Sequence, residues 1–363
     1  MQPGQSWNSY YQTASCGEVI NVAGGNHGFQ EILENTTLSN CAQNVVFQAL
    51  AGASVQTGEI RFGHCPGCFA TNAPDHLTIR GPMSNPQGFS CVGDCHYITI
   101  DNIDGGAVVL DSFGNPDGPA HWLVKNSDWG PCWSSGSNFQ SFCNLFYGLG
   151  ARQIELIGVQ DFQFIGNTIH DFDLVEGHYE CVRTSGGSNY VWRGNKFWGC
   201  EIYALTTTDW GGVNYIENNW FGGADHGNGD PRGTAITADS SIPGQIFIRF
   251  NSFSAQDGIT SDNGNSHVGF FIVGNLIGLR ECFASAVYAF NVYDDGGTCG
   301  ATDLSGVPFA YVNGARGPSM NYHLGGPSPA DGFVPGIAPH SDLATDFDGQ
   351  PRLAPRDAGS DEH

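Results

Sequence analysis

The sequence predicts an all-β solenoid, a parallel β-helix, and three observations carry this prediction. A short phrase built around an asparagine recurs five times within residues 162–277. Its spacings, 28, 24, 32 and 24 residues, lie in the range of one solenoid coil. Each copy alternates apolar and polar residues at period two and is bounded by Gly, Asn or Asp, which is typical of strands separated by turns.

The repeated positions define an expected inner face. The shared asparagines are Asn167, Asn195, Asn219, Asn251 and Asn275. Three residues before them stand Phe164, Trp192, Ile216, Ile248 and Ile272, and two residues after them Ile169, Phe197, Phe221, Phe253 and Ile277. Asn tolerates tight turns, and its amide can hydrogen-bond along a stack of equivalent turns. We therefore expect an inward Asn ladder beside stacked apolar side chains. Asn102 and Asn126 fall near the ladder position in a poorer register.

The phrases FIGNTI, WRGNKF, IENNWF, IRFNSF and VGNLI resemble the right-handed β-helix superfamily of pectate lyases, polygalacturonases and related carbohydrate-active proteins. The similarity extends more loosely over residues 40–300. It implies a single-stranded right-handed parallel β-helix. We expect an N-terminal cap at residues 1–45, the β-helix at 46–300, and an irregular, loop-rich C-terminal tail at 301–363 that packs on the helix.

Composition restricts the partners. The 363 residues carry a formal charge of −23 and two lysines, Lys125 and Lys196. Such a charge disfavours nucleic acid and anionic lipid, which attract basic surfaces. No apolar run approaches the roughly 18 residues of a membrane span. We expect a monomer without membrane or nucleic-acid partners, and an anionic polymer would need a bridging cation or a local basic patch.

Twelve cysteines predict an oxidising compartment and a secreted protein. The expected disulfides are Cys16–Cys41, Cys132–Cys143, Cys181–Cys200 and Cys282–Cys299. In CPGC (65–68) and CVGDC (91–95), the spacing of about one coil predicts Cys65–Cys91 and Cys68–Cys95 as bridges between adjacent coils. Paired thiolates holding a tetrahedral zinc are the alternative.

A long aromatic insertion, residues 130–150, interrupts the repeat. Insertions in solenoids emerge as loops on one face, often the binding face. Aromatic rings on such a loop suit the C–H faces of sugars. Trp133 and Tyr147, together with Trp210, are the predicted substrate-binding residues. A loop folded down as a lid on the core is the alternative.

Three aspartates end equivalent predicted strands. In the resembled fold the substrate groove runs along the first strand of each coil and the following turn, which implies a site at Asp209, Asp239 and Asp262. On consecutive coils these carboxylates would lie about 5 Å apart. They cannot all be ionised and unpaired without cost. They would bind a cation such as Ca²⁺, share a proton or pair with a basic residue; solvated turn aspartates are the alternative.

The densest polar cluster precedes this line, in TIHDFDLVEGHYECVR. His178 and Glu180 are two residues apart, so they share one strand face. A His and a carboxylate side by side suit general acid–base chemistry. Arg183 is a candidate for neutralising a substrate carboxylate or for abstracting a proton. The alternative is structural, with His178 and Glu180 bonded to a turn.

Three functions fit these observations. The first is a polysaccharide lyase that acts by β-elimination, with a cation on the aspartates and Arg183 or His178 as base. The second is a glycoside hydrolase that uses two of Asp209, Asp239, Asp262 and Glu180. The third is a polysaccharide-binding or adhesive module without catalysis. The NTD, DD, GHG and RIK signatures of polygalacturonases are not present in the expected places.

Overall fold

The computed structural model describes residues 1–64, 69–130, 132–133, 154–173, 180–200, 203–223, 233–237, 244–261 and 267–361. The chain falls into two compact units, Met1–Thr168 and Ile169–His363. Within the described residues the secondary structure is one helix, α1 (Trp7–Tyr11), and many short strands. This helix of five residues is too short to cross a bilayer.

The strands that start in the first unit are β1 (Val19–Val22), β2 (Gly25–Asn26), β3 (Gln30–Ile32), β4 (Val45–Ala49), β5 (Val55–Gln56), β6 (Ile60–Phe62), β7 (Asp75–Asn85), β8 (Phe89–Val92), β9 (His96–Gly105), β10 (Val108–Asp111), β11 (Ala120–Lys125), β12 (Asp128–Trp129), β13 (Cys132–Trp133), β14 (Ile154–Ile157), β15 (Gln160–Ile165) and β16 (Thr168–Asp173). Those of the second unit are β17 (Glu180–Ser185), β18 (Val191–Arg193), β19 (Lys196–Cys200), β20 (Tyr203–Thr206), β21 (Val213–Glu217), β22 (Trp220–Phe221), β23 (Gly233–Thr237), β24 (Gln245–Arg249), β25 (Ser252–Phe253), β26 (Asp257–Thr260), β27 (Phe270–Val273), β28 (Leu276–Ile277), β29 (Val287–Ala289), β30 (Val292–Tyr293), β31 (Leu304–Ser305), β32 (Tyr311–Asn313) and β33 (Asn321–Leu324).

The first unit stacks its strands in parallel rows. One row runs β1, β4, β7, β9, β11 and β15, and a second runs β3, β6, β8, β10 and β14. Each strand pairs in parallel with the strand one coil away, as a solenoid requires. Alternate residues of these strands are buried, so the apolar half of the period-two pattern forms the core.

The second unit repeats this arrangement. One row runs β18, β21, β24, β27 and β29, and another runs β17, β20, β23 and β26. Trp192, Ile216, Ile248 and Ile272 pair in register and are fully buried or nearly so. The predicted all-β parallel β-helix is confirmed.

The predicted Asn ladder is present in the second unit. The amide Nδ2 of Asn195 donates to Oδ1 of Asn219 at 2.9 Å, and Asn219 donates to Asn251 at 2.9 Å. Asn251 donates to Asn275 at 3.0 Å. The ladder then continues beyond the predicted repeats, from Asn275 to Asn291 at 2.9 Å. Each backbone N–H also donates to the next Oδ1, so these buried amides are satisfied.

In the first unit the inward position is filled differently. Ser127, not Asn126, occupies it, because the backbone N–H of Ser127 donates to Asn167 Oδ1 at 3.0 Å. Ser127 Oγ in turn accepts from the backbone of Ile103 at 3.1 Å. Asn102 and Asn126 stand one residue earlier, exposed, in the left-handed conformation with φ of 59° and 52°. The expectation that these two asparagines approach the ladder position is corrected by one residue.

The disulfides Cys16–Cys41, Cys181–Cys200 and Cys282–Cys299 are confirmed. Cys91 pairs with Cys95, which corrects the predicted bridges Cys65–Cys91 and Cys68–Cys95. The two cysteines are near neighbours in the chain, and the segment at the end of β8 brings their Cα atoms to 6.6 Å, so they bond within one coil and not between coils. Cys65, Cys68, Cys132 and Cys143 lie outside the residues whose side chains are described. The bridge Cys132–Cys143 therefore stays a prediction.

Parallel pairing extends from Val19 to Ser305, so it starts well inside the expected N-terminal cap at residues 1–45 and ends five residues beyond the expected end of the helix at 300. After β31 the chain lies along the outer face of the second unit. Arg352 Nη2 donates to Asn218 Oδ1 at 3.0 Å, and Trp220 Nε1 donates to Ser360 Oγ at 2.6 Å. Phe347 stacks on Trp220 with ring centroids 4.1 Å apart. These contacts show that the tail packs on the strands of its own unit.

Candidate functional site

A groove of about 610 Å³ runs across successive coils of the first unit. It is lined by residues 53–55, 82–84, 102–104 and 126–128, with Gly166 and Thr168 at one end. These segments are equivalent parts of consecutive coils, since Gln56 pairs with Ser84, Ser84 with Asp104, and Asp104 with Asp128. Neighbouring strands are about 4.8 Å apart, so the groove repeats its chemistry at that spacing.

The left-handed turns before the inward position open this groove. A residue in the left-handed conformation turns the backbone sharply, and Asn is among the few non-glycine residues that adopt it readily. Asn102, Asn126 and Gly166 take this position on three coils, with φ of 59°, 52° and 65°. The turns therefore present Asn102 and Asn126 to solvent at the groove wall.

The groove floor is polar and acidic. Asp104 and Asp128 are both exposed and pair directly in register. Among the described residues that line the groove, none is basic. The nearby cations are engaged beside it: Lys125 Nζ and Arg80 Nε lie 3.6 Å and 3.5 Å from Asp101 Oδ2. Asn126 Nδ2 donates to the other oxygen of Asp101 at 2.9 Å. The arrangement offers acceptors and amides to a hydroxyl-rich ligand.

Sequence reasoning missed these residues although a signal exists. The phrase Asn-x-Asp occurs as Asn102-Ile-Asp104 and again as Asn126-Ser-Asp128, 24 residues later. That spacing equals one coil of the later repeat. Asn102 and Asn126 fall near the ladder position in a poorer register, and this resemblance to the ladder hides the repeated aspartate two residues later.

The predicted catalytic residues of the second unit are only partly described. Glu180 and Arg183 are half-buried and lie three residues apart on one strand, β17. Residues three apart on a strand project to opposite faces, so these two side chains do not converge on one face. His178 lies outside the described residues. The structure thus separates Arg183 from Glu180, which the sequence analysis grouped together.

The three predicted aspartates follow their paired strand residues at different distances along the chain. Thr206, Thr237 and Thr260 are paired residues on three consecutive strands. Asp209 comes three residues after Thr206, whereas Asp239 and Asp262 come two residues after their threonines. The predicted equivalence of the three aspartates therefore stays a prediction. Asp209 is half-buried and left-handed, with φ of 54°. Asp239 and Asp262 lie outside the described residues.

The predicted aromatic contacts give one correction. Trp210 is 0% exposed, tilts against Tyr190 with centroids 4.7 Å apart, and donates to Thr184 Oγ1 at 2.6 Å. A ring enclosed in the core cannot stack on a sugar, so Trp210 is a core residue. The side chain of Trp133 and the whole of Tyr147 fall outside the described part of the chain.

No protein-family model and no curated protein sequence matches this chain. Among solved structures, the crystal structure of pectate lyase Pel9A is similar, with 13% sequence identity and a TM-score of 0.47. The similarity covers 99% of this chain and 91% of that protein.

Proposed function

We propose that the protein acts on a polysaccharide whose chain lies in the groove of the first unit. The observation that carries this proposal is the register: Ser84, Asp104 and Asp128 present polar groups at one strand spacing from coil to coil. A repeating surface suits a repeating ligand better than a small metabolite. Carboxylate oxygens accept hydrogen bonds from sugar hydroxyls, and charged acceptors form the stronger bonds.

Charge narrows the class of polysaccharide. Asp104 and Asp128 place two carboxylates in the groove, and like charges disfavour an acidic chain there. A neutral polysaccharide, or one with amino sugars, therefore suits the groove better. This acidity favours hydrolysis over lyase-type β-elimination, because β-elimination removes a proton beside a sugar carboxylate and so requires an acidic chain.

Cleavage is a second and separate part of the proposal, because its candidate residues lie in the second unit and not in the groove. For hydrolysis, Glu180 on β17 and Asp209 after β20 are the described carboxylates. One of them would protonate the leaving oxygen, while the other would activate water or attack the sugar. For β-elimination, a neutral base such as Arg183 would take the proton from the carbon beside the sugar carboxylate. The C=C bond would form as the glycosidic C–O bond breaks, and the protonated base would return the proton to the leaving oxygen.

Calcium at the aspartate line requires more ligands than the described residues provide. Ca²⁺ takes six to eight oxygen ligands. Of the three predicted ligands the structure describes Asp209 alone. The proposed reaction is therefore written with protein side chains alone. The disulfides are typical of oxidising compartments and support secretion as part of the proposal.

A screen of soluble polysaccharides tests this function. Neutral, amino and acidic chains would be incubated with the protein, and both new reducing ends and ultraviolet absorbance would be measured. Reducing ends without absorbance mark a hydrolase; both together mark a lyase. Saturable binding without either product marks a binding module and would disprove the cleavage proposal alone. Absence of binding to every chain would disprove the proposed function.

The groove itself is tested by Asp104→Asn combined with Asp128→Asn. This change is nearly isosteric and removes two charged acceptors. We expect affinity for the bound polysaccharide to fall at least about tenfold, the scale of one lost charge-assisted hydrogen bond. Asp117→Asn, in an exposed turn of the same unit, is the matched control and should bind normally. Unchanged affinity in the double variant would exclude the groove.

A further inference from the structure

Three metal-ligating side chains converge in the C-terminal part of the second unit. His323 comes from β33, whereas Asp348 and Asp361 come from later, irregular stretches of the tail. One donor atom from each lies within 4.8 Å of the other two. His323 Nε2 is 2.8 Å from Asp348 Oδ2 and 3.8 Å from Asp361 Oδ1.

A neighbouring amide fixes the orientation of the imidazole. Asn321 Oδ1 accepts from the backbone N–H of His323 at 3.2 Å and is also in short contact with His323 Nδ1. An amide oxygen can only accept, so this contact requires a proton on Nδ1. Nε2 is therefore the nitrogen turned toward the two carboxylates, and a lone pair so close to Asp348 needs a proton or a cation between them. An outer hydrogen bond of this kind is typical of metal-ligating histidines.

Asp361 is the second, independent observation. Its side chain is 10% exposed. Within the described part of the chain its carboxylate accepts no hydrogen bond, and its one ion-pair partner is His323 Nε2 at 3.8 Å. A buried carboxylate without donors is costly, and it is aimed at the space that His323 and Asp348 share.

We propose that His323, Asp348 and Asp361 bind one zinc ion. One imidazole nitrogen and two carboxylate oxygens form a set that zinc accepts in four-coordinate geometry, with water in the fourth position. Calcium is disfavoured, because it takes six to eight oxygen ligands. The inference is independent of the polysaccharide proposal, since it uses none of that proposal's residues and needs no substrate.

The position of the cluster assigns the ion a structural role. Phe347, next to Asp348, stacks on Trp220, and Ser360, next to Asp361, accepts from Trp220 Nε1 at 2.6 Å. Zinc would join these two stretches of the tail to each other and to β33. Because the three ligands come together only in the folded chain, binding would stabilise the docked tail.

The test uses the full chain, treated with a chelator and titrated with zinc chloride. Isothermal titration should show one zinc ion per chain, and the melting temperature should rise with the logarithm of zinc concentration. His323→Gln and Asp361→Asn should each weaken binding by about 100-fold or more, above the usual effect of a lost outer-shell group. His121→Gln is the matched control, because His121 Nδ1 lies 3.0 Å from a single carboxylate, Asp161.

Several results would overturn the proposal. Unsaturable zinc binding, or equal affinity in the wild type and both ligand variants, would exclude the site. Tighter binding of calcium than of zinc would exclude the assigned ion. If zinc leaves the melting temperature of the wild type unchanged, the ion does not hold the tail. Asp361→Asn is nearly isosteric, and circular dichroism of each variant would confirm that lost binding is not lost folding.

Discussion

The same left-handed turn serves two purposes in the two units. In the first unit Asn126 takes this turn, with φ of 52°, and lies exposed in the groove. In the second unit Asn218 takes it, with φ of 54°, and is 1% exposed. The C-terminal tail covers it: Asn218 accepts from Arg352 at 3.0 Å and donates to the carbonyl of Thr345 at 2.6 Å. One row of turns faces solvent, and the other holds a peptide chain.

The covered row shows how such turns bind an extended chain. Along the second unit the tail meets consecutive left-handed turns. Arg352 lies over the ring of Phe250 at 4.3 Å, and the backbone of Gly359 donates to the carbonyl of Gly274 at 2.7 Å. Repeated turns therefore offer side chains and backbone groups to a chain that runs from coil to coil. The exposed turns of the first unit offer the same kind of surface, which supports a polymeric ligand there.

The residue that follows each left-handed turn points inward, and its type also differs between the two units. In the second unit it is a ladder asparagine, fully buried and bonded on every side. In the first unit it is Ile103 on one coil and Ser127 on the next, where one hydroxyl is the contribution to the ladder, and an inward asparagine, Asn167, returns only on the coil of Gly166. One step along the chain thus separates an asparagine that stabilises the fold from one that is available to a ligand.

The largest expected effect comes from Asn251→Ala. Its Oδ1 accepts two bonds from Asn219, at 2.9 Å each, and its Nδ2 donates to Asn275 and to the Ile216 carbonyl. Truncation leaves buried donors and acceptors unpaired, at about 1–3 kcal/mol for each group. We expect the free energy of unfolding to fall by about 3 kcal/mol or more, measured by urea denaturation. Asn126→Gly, at an exposed turn whose left-handed backbone glycine adopts without strain, is the control and should cost less than about 1 kcal/mol. Equal losses would show that the two positions do not differ as described.

Arg352→Met should have the next largest effect. Arg352 is 5% exposed and donates to Asn218 Oδ1 and to the carbonyl of Gly359. Methionine keeps much of the volume but leaves both acceptors unpaired, so we expect a loss of about 2 kcal/mol. Limited proteolysis should then cut the tail sooner than in the wild type. Arg80→Met, whose guanidinium is largely exposed in the first unit, is the control. A tail as resistant as before would show that Arg352 does not hold it.

Features that repeat along the chain could be predicted from the sequence, whereas contacts between residues far apart in the chain could not. The ladder from Asn195 to Asn275 was predictable because one side-chain type recurs at one coil spacing. Asn126 was misplaced because an asparagine suits both the left-handed turn and the inward position, and the letter alone does not distinguish them. Arg249, whose charge alone suggests a surface position, is 8% exposed. Its Nη1 donates to Asp342 at 2.6 Å, and no local pattern predicts a partner 93 residues away.

The smallest expected change in stability distinguishes the two uses of the turn most sharply. Asn126→Gly places at this corner the residue that Gly166, Gly194 and Gly274 supply on other coils, all with φ of 65–66°. Glycine adopts this conformation without steric cost, although its unfolded chain has more entropy to lose. The two effects oppose each other, so the free energy of unfolding should change by less than about 1 kcal/mol. Affinity for the polysaccharide should nevertheless fall, because the exposed amide is removed from the groove wall. Urea denaturation measures the expected small change in stability, and a binding titration measures the expected loss of affinity. A variant that binds as the wild type does would mean that Asn126 serves the backbone alone, and that the groove recognises its ligand through Asp104 and Asp128.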